Sequence, residues 1–325
     1  MKYIFSLVFL MLTFSNVYSQ SNELVGKWVL VKILFSDGRN LEINNAQYSA
    51  KSILDISTGL IRINGTRLSA SFTTDQIKTP FRSFIFQIKD GYLITQDDGG
   101  DKINYFLKAN DFVKKYPEFS LDEIEREGKV VLVDNDLTGY EFNNELTLGE
   151  FISKNKKDRN SKDFKNLYFR IEFILTPTNQ IKDIKVLNSI DQLYDNGYIG
   201  ALQKASPYFS NVTGKDLLIF QEVNQLKLFK DLSDQNEKNL YIYLEDGLNY
   251  FEENNFEKAI AEFSKIKSLT IQNNRFKTAI KDAMIKLGIS YLAVGKNKEA
   301  CEVFNSVGNK TDFEVRNFLL DFCEK

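Results

Sequence analysis

At 325 residues the chain has room for two or three domains, and its 43% hydrophobic content is ordinary for a globular protein. The 42 basic and 44 acidic side chains leave a formal net charge of −2, which exerts no long-range pull on phosphate backbones, so nucleic acid is not an expected partner. Histidine is absent and cysteine occurs twice, which removes His-based triads, imidazole metal sites and structural zinc clusters.

Met1 and Lys2 precede an apolar run from Tyr3 to Phe14, then Ser15, Asn16 and Val17-Tyr18-Ser19 before Gln20. This reads as a secretory signal peptide over residues 1–19. Its apolar core is far short of the roughly 20 residues that span a bilayer, and Val17 and Ser19 stand where signal peptidase requires suitable side chains. An uncleaved anchor or a buried strand is the competing reading. No Cys follows the cut to carry a lipid, and no later apolar run is long enough to span. The expectation is an exported protein, periplasmic or secreted, with no transmembrane anchor after cleavage.

Residues 20–117 alternate in short runs, Trp28 to Phe35, Ser52 to Ile56, Leu60 to Ile63, Phe84 to Ile88, Tyr92 to Thr95 and Ile103 to Leu107. Ser36-Asp37-Gly38, Thr58-Gly59, Asn64-Gly65, Asp90-Gly91 and Asp97-Asp98-Gly99-Gly100 separate them. Period-two runs between such turns predict antiparallel strands in a barrel or sandwich. The opening Leu24-Val25-Gly26-Lys27-Trp28 resembles the Gly-x-Trp strand of lipocalin-like domains, in which the indole closes one end of the barrel. The segment departs from that family in being shorter and in lacking an arginine on the last strand to stack on Trp28. A packed interior and a ligand cavity both fit the pattern. The acidic turn Asp97–Asp101 lacks the alternating oxygens and distant Glu of a calcium loop and reads as a solvated hairpin.

Residues 118–144 are acidic and Asn-rich around Val130-Val131-Leu132-Val133 and read as a connector or a peripheral hairpin. Over residues 145–230 the order is a short helix from Leu148, a polar stretch from Lys154 to Lys165, a strand from Tyr168 to Leu175, a turn at Thr176-Pro177-Thr178-Asn179 and a strand from Ile181 to Leu187. A helix from Tyr194 to Ala205 and a last strand within Leu217 to Phe229 follow. Tyr168–Phe173, Asn179–Leu187, Asp195 with Ala201-Leu202, Pro207-Tyr208-Phe209 and Gly214-Lys215 together resemble the C-terminal domain of TonB-type energy transducers. That resemblance implies a small α+β domain that binds peptides by adding a strand at a sheet edge. With 4 prolines in all, the chain has no long Pro-rich spacer of the kind the transducers use.

Residues 238–325 read as helical, interrupted at Asn254-Asn255, Gln272-Asn273-Asn274, Gly295-Lys296-Asn297 and Gly308-Asn309. Gly247, Tyr250, Ala259 and Phe263 recur as Gly288, Tyr291, Ala300 and Phe304 with the same internal spacing. Small residues let two helices nest while aromatics fill the gap to the next pair. Tyr243 and Phe256, then Met284 and Leu287, extend the pattern, which resembles tetratricopeptide repeats. The offset is 41 positions rather than the usual ~34, which suggests about two extra turns between Ile266 and Thr278. The resemblance implies peptide-facing positions at Tyr241, Leu244, Leu248, Phe251, Ile285, Ile289 and Leu292. All are apolar, as in a groove for an apolar peptide or a surface covered by the rest of the chain. Asp312 to Cys323 reads as an amphipathic cap. Antiparallel packing of the cap on the helix before it would bring Cys301 and Cys323 together, as a disulfide or as two buried thiols.

No Gly-x-Ser-x-Gly elbow occurs, and Gly308-Asn309-Lys310-Thr311 lacks the upstream glycine and strand of a phosphate loop. The carboxylates form no pair that the sequence places in one cleft. Neither catalysis nor a cofactor is therefore expected. The sequence points to a multidomain α+β protein that binds a protein or peptide partner in the bacterial envelope, with a carrier of a small apolar ligand as the alternative.

Overall fold

The computed structural model describes residues 23–135, 137–156, 168–224 and 232–324; the expected signal segment lies outside them, as does part of the polar stretch after Lys154. The fold is mixed α+β. It divides into two compact units, Met1–Pro117 and Glu118–Lys325.

The first unit is a nine-stranded antiparallel sheet. Its strands are β1 (Gly26–Phe35), β2 (Ile53–Ser57), β3 (Leu60–Ile63), β4 (Thr66–Ser69), β5 (Ser71–Phe72), β6 (Gln76–Lys78), β7 (Ser83–Lys89), β8 (Tyr92–Asp97) and β9 (Lys102–Lys108). Their order is β4-β3-β2-β1-β9-β8-β7-β6-β5. The two edge strands are consecutive in the chain, with Ala70 alone between them, so the sheet curls into a nearly closed barrel. Two tight hairpins at Asn64-Gly65 and Asp90-Gly91 set register. All four residues have positive φ, the requirement of the turn whose twist matches that of paired strands.

Alternate residues of these strands fill the interior, among them Trp28, Leu30, Leu54, Ile56, Ile61, Ile77, Phe84, Phe86, Leu93 and Phe106. These side chains pack on one another as a single cluster, as the packed reading of the interior expects. Trp28 is 2% exposed, and its indole Nε1 donates to the Leu24 carbonyl at 2.7 Å. The cation over the Trp28 ring is the Lys108 ammonium on the last strand, 5.3 Å from the ring centre, rather than an arginine. Helix α1 (Ala109–Lys115) lies against β1 and β9, which explains why Val29, pointing away from the interior, is fully buried along with Phe112.

In the second unit a five-stranded sheet has the order β10-β11-β16-β13-β14. Its strands are β10 (Asp122–Arg126), β11 (Lys129–Val133), β13 (Tyr168–Leu175), β14 (Ile181–Asn188) and β16 (Leu217–Asn224); β12 (Tyr140–Phe142) and β15 (Phe209–Asn211) form a separate pair. Of the two readings of residues 118–144, connector or peripheral hairpin, β10 and β11 do form a hairpin, and it is built into the sheet, where β11 joins β16 in parallel at Leu132–Val133. Helix α2 (Leu148–Asn155) starts at a reciprocal Thr147/Glu150 cap. Helix α3 (Gln192–Ala205) starts at Asp191, whose carboxylate accepts from the Tyr194 N–H at 2.7 Å.

These helices cover one face of the sheet, where Phe151, Ile152, Tyr194, Tyr198 and Leu202 meet Phe169, Ile171, Phe173 and Leu175. The other face carries Val131, Ile174 and Leu218, and there Arg126 pairs with the buried Glu172. A strand buried on both faces reads as a continuous apolar run, as Tyr168–Leu175 does.

Two helical hairpins follow, α4 (Gln235–Glu252) with α5 (Phe256–Ile266), and α6 (Lys277–Ala293) with α7 (Asn297–Val307). Helix α8 (Phe313–Phe318) continues into a single π-helical turn, Leu319–Cys323. Residues 267–276 are an irregular connection ending in a 3₁₀ turn, Asn274–Phe276, instead of the extra helical turns the sequence suggested. The 41-residue period therefore comes from this connection. Asn and Gln cluster in it, and they favour turns over helix interiors.

Candidate interaction surface

Each hairpin closes on one small-to-large contact. A methyl carbon placed on Gly247 would lie 2.5 Å from the Phe263 ring, and one on Gly288 would lie 2.5 Å from the Phe304 ring. Both phenylalanines are fully buried beside Ala259 and Ala300, so the helices approach as closely as the ring allows. The turns repeat as well. The Asn255 N–H donates to the Tyr250 carbonyl at 2.8 Å and the Lys296 N–H to the Tyr291 carbonyl at 2.9 Å. The residue before each donor has positive φ, 57° at Asn254 and 77° at Gly295. A helix ends readily on a left-handed residue, and Asn and Gly tolerate that conformation best.

The expected peptide-facing positions divide. On α4, Tyr241, Leu244, Leu248 and Phe251 are half-buried and pack against the helical core. On α6, Ile285 is half-buried, whereas Ile289 and Leu292 are each only 8% exposed. Those two are core side chains rather than an open peptide-binding face. Part of the cover over α4 is the chain's own: Leu269, Ile271 and Phe276 of the connection join the same core, and the Phe276 ring meets Tyr241 edge-on at 6.0 Å.

Arg275 anchors the connection. It is 3% exposed, its Nη2 lies 2.7 Å from a Glu237 carboxylate oxygen on α4, and its carbonyl accepts from the Asn224 side-chain amide at the end of β16. Its counterpart one period later, Arg316, is 5% exposed and lies 3.7 Å from Glu118. The duplication thus reaches beyond the hairpins, to the arginine just before α6 and its counterpart within α8. Sequence reasoning missed this pair. Two arginines at the repeat offset were the available signal, hidden because Arg is ordinarily read as solvated.

Cys301 and Cys323 are joined by a disulfide. It ties the cap to α7, where the Phe318 ring stacks on Phe304 at 4.8 Å. At the cap's start the Lys281 ammonium reaches both Asp312 and Glu314 at 2.5 Å.

Among the described residues strand β14 is an open edge of the five-stranded sheet. Its middle is irregular, with Asp183 at a φ of 50°, and Lys182, Asp183 and Lys185 are exposed. Bulges and charges of this kind discourage indiscriminate edge pairing. Burial pushes the Tyr168 phenol up to about 12, helped by a hydrogen bond to Glu222, and burial raises Tyr198 further. Neither ring supplies a phenolate near neutral pH. Among the described residues no three His, Cys, Asp or Glu side chains are grouped to hold a metal ion, and no helix is long and apolar enough to cross a membrane. No protein-family model matches the chain, and no curated protein matches it in sequence.

Proposed function

We propose that this chain is an exported, non-enzymatic binding protein of the bacterial envelope, in which tetratricopeptide-like hairpins and a TonB C-terminal-like sheet engage a protein or peptide partner. The observation that carries the reading is the duplicated hairpin, with the same glycine-to-phenylalanine contact and turn hydrogen bond at Gly247 and at Gly288. Stacked helix pairs of this kind present an extended surface rather than a catalytic cleft. The half-buried positions Leu244, Leu248 and Ile285 are the part of the expected groove left for a partner. The open edge β14 supports a second contact by strand addition, with exposed Lys182 and Lys185 favouring an acidic segment.

The nearly closed sheet of the first unit is read as lipocalin-like on Trp28 and its covering cation. Its interior is occupied by its own side chains, which favours a structural role over the carrier alternative. The test is capture from envelope extract with the chain lacking residues 1–19, compared with Leu248→Glu and Ile285→Glu. Loss of the captured partner with an unchanged circular dichroism spectrum supports the reading. Equal capture by all three proteins would remove the groove from it.

A further inference from the structure

The disulfide sits where the element that covers the repeat is shortest. Ala259 and Phe263 of α5 are buried under α6, a helix of 17 residues. Their counterparts Ala300 and Phe304 on α7 lie under α8, which has 6 residues before its terminal turn. Arg275 opens the way into α6 and Arg316, at the same repeat position, lies within α8. At the 41-residue offset α8 stands where the connection stands in the first repeat, and Leu319–Cys323 stands where α6 begins, so a single turn takes the place of a full helix. Helices shorter than about 12 residues do not persist without tertiary support. The covalent tie from Cys323 to Cys301 falls on this shortened cover, and both cysteines are half-buried, within reach of an attacking thiolate.

We propose that Cys301–Cys323 is a redox latch on the cap. With the bond closed, Val315, Phe318 and Leu319 stay seated, and the stacked Phe318 covers Phe304. The reductant is a dithiol protein of the Cys-x-x-Cys class. Its thiolate attacks one sulfur of the bond to give a mixed disulfide, and its second thiol then resolves that intermediate. Two electrons and two protons pass to Cys301 and Cys323, which become thiols, while the reductant leaves as its own disulfide. With the bond open the cap is held by packing alone, and it unfolds locally while the hairpins stay folded.

Hydrogen exchange on the full chain tests this, comparing the oxidised protein, the same sample after dithiothreitol, and a C301S/C323S double variant. Reduction should speed exchange in residues 313–323 about 100-fold, the scale expected for closing a loop of this size. Protection in α4 and α5 should not change, and the double variant should match the reduced protein without added thiol. Unchanged exchange in the cap would overturn the latch, because packing would then hold the cap unaided. Loss of protection in α4 and α5 together with the cap would also overturn it, since the bond would be a staple for the whole helical region. A bond that yields to dithiothreitol only in denaturant would count against it equally.

Discussion

In α4–α5 and in α6–α7 the same glycine lies against the same phenylalanine, beside the same buried alanine, and the turn is tied by the same hydrogen bond. Around those shared interiors the two hairpins differ. The first is enclosed by a full helix, by a connection that carries Phe276 into its core, and by an Arg275–Glu237 pair linked to the end of β16. The second has a short cap, a disulfide and the surface cluster of Lys281, Asp312 and Glu314. Repeat units thus share what sequence repeats, the inner contact, and differ in what encloses it. Comparing equivalent substitutions separates the two contributions.

The largest effects should come from removing the shared rings. Phe263→Ala and Phe304→Ala are each expected to cost about 3–5 kcal/mol, because each leaves a cavity between helices that cannot fully collapse. Urea unfolding measures both. Phe304→Ala should cost less once the disulfide is reduced, because the opened cap has already taken Phe318 off this ring. Equal costs in both redox states would show that the cap stays seated on this ring without the bond.

Next in size is Glu237→Gln. Removing one partner of a buried ion pair leaves the other charge uncompensated, and Arg275 is 3% exposed. Glu237 is itself partly solvated, so about 2–3 kcal/mol is expected. Thr278 stands at the corresponding place in the second hairpin, where no matching pair is available to break. Hydrogen exchange should therefore rise in residues 267–276 and not in α7. A uniform rise would mean that the ion pair holds the whole region rather than the connection.

Gly247→Ala and Gly288→Ala should follow at about 1–2 kcal/mol each. Crowding the ring costs roughly 1–3 kcal/mol, offset by about 1 kcal/mol from the better helix propensity of alanine. Combining Gly247→Ala with Phe263→Leu should cost less than the sum of the singles, since the smaller side chain makes room for the methyl. Simple additivity would mean that the glycine is placed for another reason.

These contrasts follow what was legible in the sequence. The doubled Gly-Tyr-Ala-Phe register located both hairpins because close packing between helices forces small and large residues into fixed spacing. Tyr168–Leu175 was legible as a strand because it is apolar on both faces, and the turn after it contains Asn179 at positive φ. The parallel pairing of β11 with β16 was not, since a parallel pair has no tight turn between its strands to announce it. Lys108 over Trp28 escaped because the expected partner was an arginine. The choice between a groove and a covered surface was not legible for a different reason: Ile289 and Leu292 read as apolar and are buried, but sequence patterning does not say what covers an apolar side chain.

The smallest predicted effect concerns pH and belongs to the second hairpin alone. Burial raises the Asp282 carboxyl above its ordinary 3.8, with Lys286 opposing the shift and Glu314 adding to it. Tyr241 holds the corresponding place on α4, where there is no carboxylate. Because folded Asp282 holds its proton more tightly than the unfolded chain does, the folded state binds more protons in the window just above 3.8. Its contribution to stability therefore increases as pH falls through that window, and is lost as pH rises again. Asp282→Asn should remove this component and stabilise the protein at neutral pH by well under about 1 kcal/mol, since the group is only partly buried. The neighbouring carboxylates Asp312 and Glu314, tied to Lys281, remain in both proteins, so the difference between variant and parent isolates Asp282. Unfolding midpoints of the two proteins should converge as pH approaches the carboxylate range and separate above it. Parallel curves would show that Asp282 is solvated in the folded protein, and that α6 is covered less closely near Glu314 than its partner helix is near Phe276.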